Sequence, residues 1–146
     1  MSGQSLLAKR ILTTVDGSAE SLKAARYAIQ LAKATGGMVV AIHIILLPQY
    51  VPDDVLKRMK QDLLLKGESA LEQARQLAGD VGVSLEGKTL ETTSSVVGTI
   101  CDSASRENAD LIVIGTRGSG GVAKLMLGSV AGGVVKSAHC AVLVIR

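Results

Sequence analysis

The chain has 146 residues, 47% of them apolar, and a net charge of +3 from 16 basic and 13 acidic side chains. That length suits one domain, residues 1–146, able to bury roughly 70% of its unfolded surface without a disulfide or a metal. The apolar residues fall in runs well short of the roughly 20 that span a bilayer, and the basic residues are scattered singly, with two Tyr and no Phe or Trp to stack on bases; neither membrane insertion nor nucleic-acid binding is expected.

The opening MSGQSLLAKR has no apolar signal-type segment, so the expected location is cytoplasmic. Cys101 and Cys140 lack C-x-x-C spacing and a His pair, and read as free thiols. Ile11 to Val15 is a β-branched run that ends at Asp16-Gly17-Ser18, with Ser18 placed to cap a helix. Leu22, Ala25, Ile29 and Ala32 repeat at helical spacing until Gly36-Gly37 stops them. Met38 to Leu47 is a buried parallel strand interrupted by His43, a residue that reads as a core histidine rather than a catalyst.

Pro52, Asp53 and Asp54 open a long helix. Its expected inner face is Val55, Met59, Leu63, Ala70, Ala74 and Leu77, with Gly79 as C-cap and Gly67 inviting a bend or a division into two helices. Val83, Leu85, Gly87 and Thr89 alternate with polar residues, as in a half-exposed edge strand. Ser94 or Ser95 caps a third helix with the face Val97, Ile100, Cys101 and Ala104, and Asn108 closes it in a left-handed conformation. Leu111 to Ile114 is a second buried strand, ended by Gly115. Beyond a glycine loop, Ser129 is the expected N-cap of a last helix with Val130, Val134 and Ala138 inside, and Ala141 to Ile145 is the final strand. Five strands alternating with four helices predict a doubly wound α/β sheet, whose ligands bind beyond the carboxyl ends of its strands.

The loop after Ile114 carries the chemistry. Gly115, Gly118, Gly120 and Gly121 let backbone N–H groups approach an anion, and the helix start at Gly128-Ser129-Val130 adds unpaired donors and a positive dipole end. The first strand's turn, Asp16-Gly17-Ser18, has neither the P-loop nor the dinucleotide pattern, and no helix follows Gly118-Ser119-Gly120 at once. The spacing is Gly115-x2-Gly118-x9-Gly128-Ser129.

In that spacing, together with ILTTVDGS, AIHII, ADLIVIGTRGSGG, LGSVAGGVV and AVLVIR in this order, the chain resembles the nucleotide-binding branch of the universal stress protein family. The resemblance implies a five-stranded parallel sheet of order 3-2-1-4-5 flanked by four helices, and a homodimer formed through the strand Ala141 to Ile145. It implies a site for ATP, or AMP or ADP, with Mg²⁺. Thr14, Val15 and Asp16 would line the ribose and adenine side, and Ile44 would offer its backbone N–H and C=O to the adenine edge. Gly115, Gly118 and Gly128 would bring amides to the phosphates, Ser129 a hydroxyl and Val130 a further amide, with Thr116 in the same site; Arg117 and Lys124 sit in or beside the loop where they could meet phosphate charge, though the family does not fix their identity. Ala141 stands where the family often has Pro, Thr116 where Ser is frequent, and Gly132-Gly133 weaken a helix that the family usually forms better. No catalytic or metal-ligating residue is assigned. The expected function is a stress-response regulator whose nucleotide-dependent loop ordering is read by a protein partner; a slow ATPase and a nucleotide-independent dimeric interaction protein are the alternatives.

Overall fold

The computed structural model describes residues 8–116 and 127–146. Strands β1 (Arg10–Thr14), β2 (Met38–Leu46), β3 (Leu85–Thr92), β4 (Leu111–Gly115) and β5 (Ala141–Ile145) form one parallel sheet in the order β3-β2-β1-β4-β5. Helices α1 (Ala19–Thr35), α2 (Asp53–Asp80), α3 (Val96–Arg106) and α4 (Ser129–Ser137) connect them, as the alternation predicts. Side chains one residue apart point to opposite faces. Ile11, Val39 and Val113 therefore meet Ala24, Ala28 and Ile29 of α1, while Leu12, Ile42 and Ile112 meet Ile100 of α3 and Val134 of α4. The β1–β2–β3 crossovers lie on one face and those to β4 and β5 on the other, so the sheet order reverses between β1 and β4.

The local chemistry explains the ends of the elements. Ser18 caps α1 by accepting from Ser21 N–H, and Ser95 caps α3 by accepting from Gly98 N–H at 2.9 Å. Asn108 takes φ +53° after α3, and Ala109 N–H reaches back to Ala104 O, which closes the helix as expected.

Helix α2 departs from expectation at both ends. It is continuous, without a break at Gly67, and Gly79 lies inside it. The left-handed residue is Gly82, at φ +74°, because the Val83 N–H bonds the Ala78 carbonyl and the Gly82 N–H the Gly79 carbonyl. At the other end Val55 and Met59 are 41% and 38% exposed, and burial begins only at Gly67 and continues through Ala70, Leu71, Ala74 and Ala78. The helix outruns the strands that it packs on. Its pairing at Lys60 with Glu91, near the end of β3, marks where the sheet stops.

Helix α4 is also offset. Its N-cap is Gly128 rather than Ser129, since the Gly128 carbonyl accepts the first intrahelical bond from Gly132 N–H at 2.8 Å while the Gly128 N–H is held by the Thr116 carbonyl. The buried face is Ala131 and Val134, and Val130 is 36% exposed.

The amino ends of β1 and β4 are tied by charge. Asp110 Oδ2 accepts from the amides of Lys9 and Arg10, both at 2.9 Å, and Glu107 meets Lys88 and, at 3.2 Å, Arg10. The two amides hold the Asp110 carboxyl below its ordinary value of 3.8, the Arg10 amide most strongly. Lys88 does the same for Glu107 against a smaller opposing effect of burial, and Arg10 adds to it. A carboxyl depressed in the folded state stabilises it above the ordinary value, and that stability is lost as pH falls through the lowered one. Asp110→Asn is therefore expected to lower Tm at neutral pH, and the gap to wild type is expected to close as pH falls below the ordinary carboxyl value of 3.8; a gap that stays constant in thermal melts as the pH is lowered would refute this account.

Candidate functional site

Past the carboxyl ends of β1 and β4 lies a crevice of about 520 Å³, within the usual size of a small-molecule site. Thr14, Val15, Asp16, Ile44, Gly115, Thr116, Gly128, Ser129 and Val130 all line it. Arg117 and Gly118, with Gly120, Gly121 and Lys124, lie outside the described residues. The wall also includes residues to which the sequence reading gave no such place: Ser21, His43, Val96, Ile100, Ile114, Leu127 and Ala131. Strand parity could have found one of them, because Thr14, Ile44 and Ile114 share the α3 face. Val96 and Ile100 carry no local signal, since only the packing of α3 brings them to the crevice. The result is an apolar slot of Ile44, Val96, Ile100 and Ile114 with polar groups at its ends.

One end is built by the turn after β1. The Asp16 N–H donates to Ser21 Oγ at 3.2 Å, and Asp16 Oδ1 accepts from Ser18 N–H at 2.8 Å. Partial burial pushes the Asp16 carboxyl up, but the bonds from Ser18 and Ser21, with the His43 ring nearby, outweigh this and hold it below the ordinary carboxylate value. Asp16 is thus an anion at neutral pH and an acceptor for hydroxyl groups.

The other end is built by α4. Thr116 N–H donates to Ile145 O at 2.9 Å, and its carbonyl accepts from Gly128 N–H at 2.8 Å, which fixes the start of the helix beside the end of β4. Among the described residues no side chain caps this helix, whose first turn lies at the positive end of the dipole.

Between the two ends runs an open backbone edge. Met38 N–H bonds Lys9 O and Val15 N–H bonds Ile42 O, so the even-numbered residues of β2 turn their backbone groups toward β1. Val39 N–H and Leu47 N–H go instead to Ser84 and Thr92, on the β3 side. β1 ends at Thr14, which leaves Ile44, the next even residue, facing the crevice without a neighbouring strand.

Some candidate chemistry drops out. Gly82 to Thr89 spells G-x-x-x-x-G-K-T, a match in letters to the P-loop. It is not a strand-to-helix loop: Gly87, Lys88 and Thr89 sit inside β3, paired with Ala41, Ile42 and His43, and Lys88 is bound to Glu107. Burial pushes the Cys101 and Cys140 thiols up, away from the thiolate form that reacts. Among the described residues no group of three or more His, Cys, Asp or Glu is placed to hold a metal.

Residues 8–146 match the universal stress protein family. A universal stress protein of Methanocaldococcus jannaschii is 37% identical over 143 residues, spanning 96% of this chain and 83% of its own. Among solved structures, the universal stress protein UspA of Lactobacillus plantarum aligns with a TM-score of 0.81 at 25% identity, covering 94% of this chain and 97% of that one. A universal stress protein solved in complex with cAMP aligns with a TM-score of 0.74 at 25% identity, covering 96% and 98%.

Proposed function

The chain belongs to the universal stress protein family, and on that premise we propose that its crevice binds an adenine nucleotide. The observation that carries the reading is the convergence on one cavity of three unlike elements: the open backbone edge of Ile44, the Asp16 carboxylate and the start of α4, which no described side chain caps. An adenine ring needs a flat apolar slot with one donor and one acceptor beside it, a ribose needs an acceptor for its hydroxyls, and phosphates need amides. The three elements supply these in that order. The complex of a relative with cAMP supports the choice of adenine.

Thr14, Val15 and Asp16 take the nucleoside side. Gly115, Ser129 and Val130 take the phosphates of ATP, AMP or ADP, with Gly118 assigned to the same end by the family resemblance and Arg117 beside it; Thr116 and Gly128 line that end, but their amides are spent on the Ile145 and Thr116 carbonyls. Asp16 is the one carboxylate that lines the crevice among the described residues, and it is committed to the ribose, so Mg²⁺ would enter with the phosphates it neutralises. The same commitment favours a binding module over an ATPase, which needs a group to orient the attacking water. Signalling through the stretch 115–127 to a protein partner is the finer form of this reading. Pairing of β5 with its equivalent in a second copy is supported by its place at the sheet edge, where Leu143 is 36% exposed.

Calorimetry with AMP, ADP, ATP and cAMP, each with and without Mg²⁺, tests the proposal. Saturable binding of an adenine nucleotide and none of GMP at equal concentration is expected; no saturable binding of any adenine nucleotide at millimolar concentration would overturn it.

A further inference from the structure

His43 stands where the β1–β2 ladder breaks. It is 7% exposed, in β2, with its ring on the α1 and α2 side of the sheet. Its Nδ1 lies 2.7 Å from the Val15 carbonyl oxygen. A carbonyl only accepts, so Nδ1 carries the hydrogen and donates it. In the neutral ring Nε2 then bears a lone pair. That atom is buried and has no hydrogen-bond partner among the described residues, so Nδ1–H···O is the one hydrogen bond that orients the ring. The space for the ring is made by Gly67 of α2, where an added Cβ would stand 2.2 Å from His43 Cδ2.

The bond falls where the ladder would add its next rung. In a parallel pair the rungs alternate evenly. After Val15 N–H to Ile42 O, the next rung would run from Ile44 N–H to the Val15 carbonyl. Among the described residues that rung is absent, and the carbonyl that would accept it is held by His43. The geometry points to His43 as a positioning residue of the adenine subsite: by capturing the Val15 carbonyl it keeps the Ile44 N–H free for the adenine edge. The inference rests on the adenine-nucleotide reading above and adds to it the device that opens the base-reading edge. His43 does not touch the nucleotide for this purpose; it decides which acceptor the Ile44 amide meets.

Two measurements on the full chain test it. The first needs no nucleotide. In the free wild-type protein the Ile44 amide is expected to exchange with solvent at least tenfold faster than the Ile42 amide, and in His43→Leu, which fills the space beside Gly67 without a donor, the released carbonyl is expected to slow it. The second is calorimetric. His43→Leu is expected to weaken AMP about tenfold and to narrow its preference over IMP, whose N1 carries a hydrogen and cannot accept from Ile44, whereas His43→Asn, which keeps a donor near the Nδ1 position, recovers at least half of the loss on a logarithmic scale. An Ile44 amide as protected as that of Ile42 in the free wild type overturns the inference, even if His43→Leu does not fold. So does a folded His43→Leu with AMP affinity and AMP-to-IMP ratio within twofold of wild type. A wild-type protein that binds no adenine nucleotide overturns the proposed function itself and removes the role argued here for His43, whatever the exchange rates are.

Discussion

Gly67→Val is expected to destabilise the protein by about 3 kcal/mol, a fall in Tm of about 10 °C. The position is in the middle of α2, where a glycine ordinarily costs about 1 kcal/mol relative to alanine. Here the bare backbone is pressed on the His43 ring, with an added Cβ at 2.2 Å from Cδ2 and 2.8 Å from Nε2. The ring has little room to turn aside, because Nδ1 is fixed to the Val15 carbonyl. Relief therefore requires α2 to lift off the sheet, which opens the contacts of Ala70, Leu71 and Ala74. The comparison that isolates the cause is Gly79→Ala in the same helix. Nothing lies within 4 Å of a Cβ there, so only the gain in helix propensity acts. That substitution is expected to stabilise by about 1 kcal/mol, while Gly67→Ala is expected to destabilise, overpacking of about 1–3 kcal/mol outweighing the same propensity gain. Chemical denaturation of the three variants checks the signs, and equal shifts for Gly67→Ala and Gly79→Ala would show that the His43 contact is not tight.

Asp16→Ala is expected to weaken AMP by about tenfold to a hundredfold, the effect of removing hydrogen bonds to an ionised acceptor worth about 1.5–3 kcal/mol. Asp16→Asn separates two contributions. Its side-chain oxygen can still accept from Ser18 N–H and hold the turn, so any further loss in the alanine variant belongs to the turn rather than to the charge. The expected order of affinity is wild type, then Asn, then Ala, with unchanged binding of free adenine to the Asn variant. Calorimetry that finds AMP affinity unchanged in Asp16→Ala would remove this carboxylate from the site.

Much of this architecture is legible in the residues themselves. Met38 to Leu46 and Leu111 to Gly115 are strands because β-branched runs flanked by glycine or proline have few other uses. Ser18, Ser95 and Asn108 act where their side-chain chemistry says they should. What escaped reading depends on partners distant in sequence. Periodicity identifies Val55 and Met59 as one face of a helix, but not whether a sheet lies opposite. Gly79 and Gly82 offer the same conformational freedom, and the choice between them is made by the Val83 amide finding the Ala78 carbonyl. Ser129 has the better capping side chain, yet the hold of Thr116 on Gly128 sets the boundary one residue earlier. Hydropathy gives the burial of His43 correctly, while its bond to Val15 follows only from the register of two strands. The G-x-x-x-x-G-K-T string at Gly82 to Thr89 makes the converse point: letters without the strand, loop and helix around them carry no phosphate chemistry.

The peptide groups on either side of Thr116 place the rim and the centre of the molecule in mechanical series. Its N–H is fastened to Ile145, the last residue of the outermost strand, and its carbonyl to Gly128, the N-cap of α4. A tug on the final strand is thus transmitted through one residue to the amides at the mouth of the crevice, with no intervening side chain to absorb it. Strand β5 is a tether for the crevice as much as the rim of the sheet.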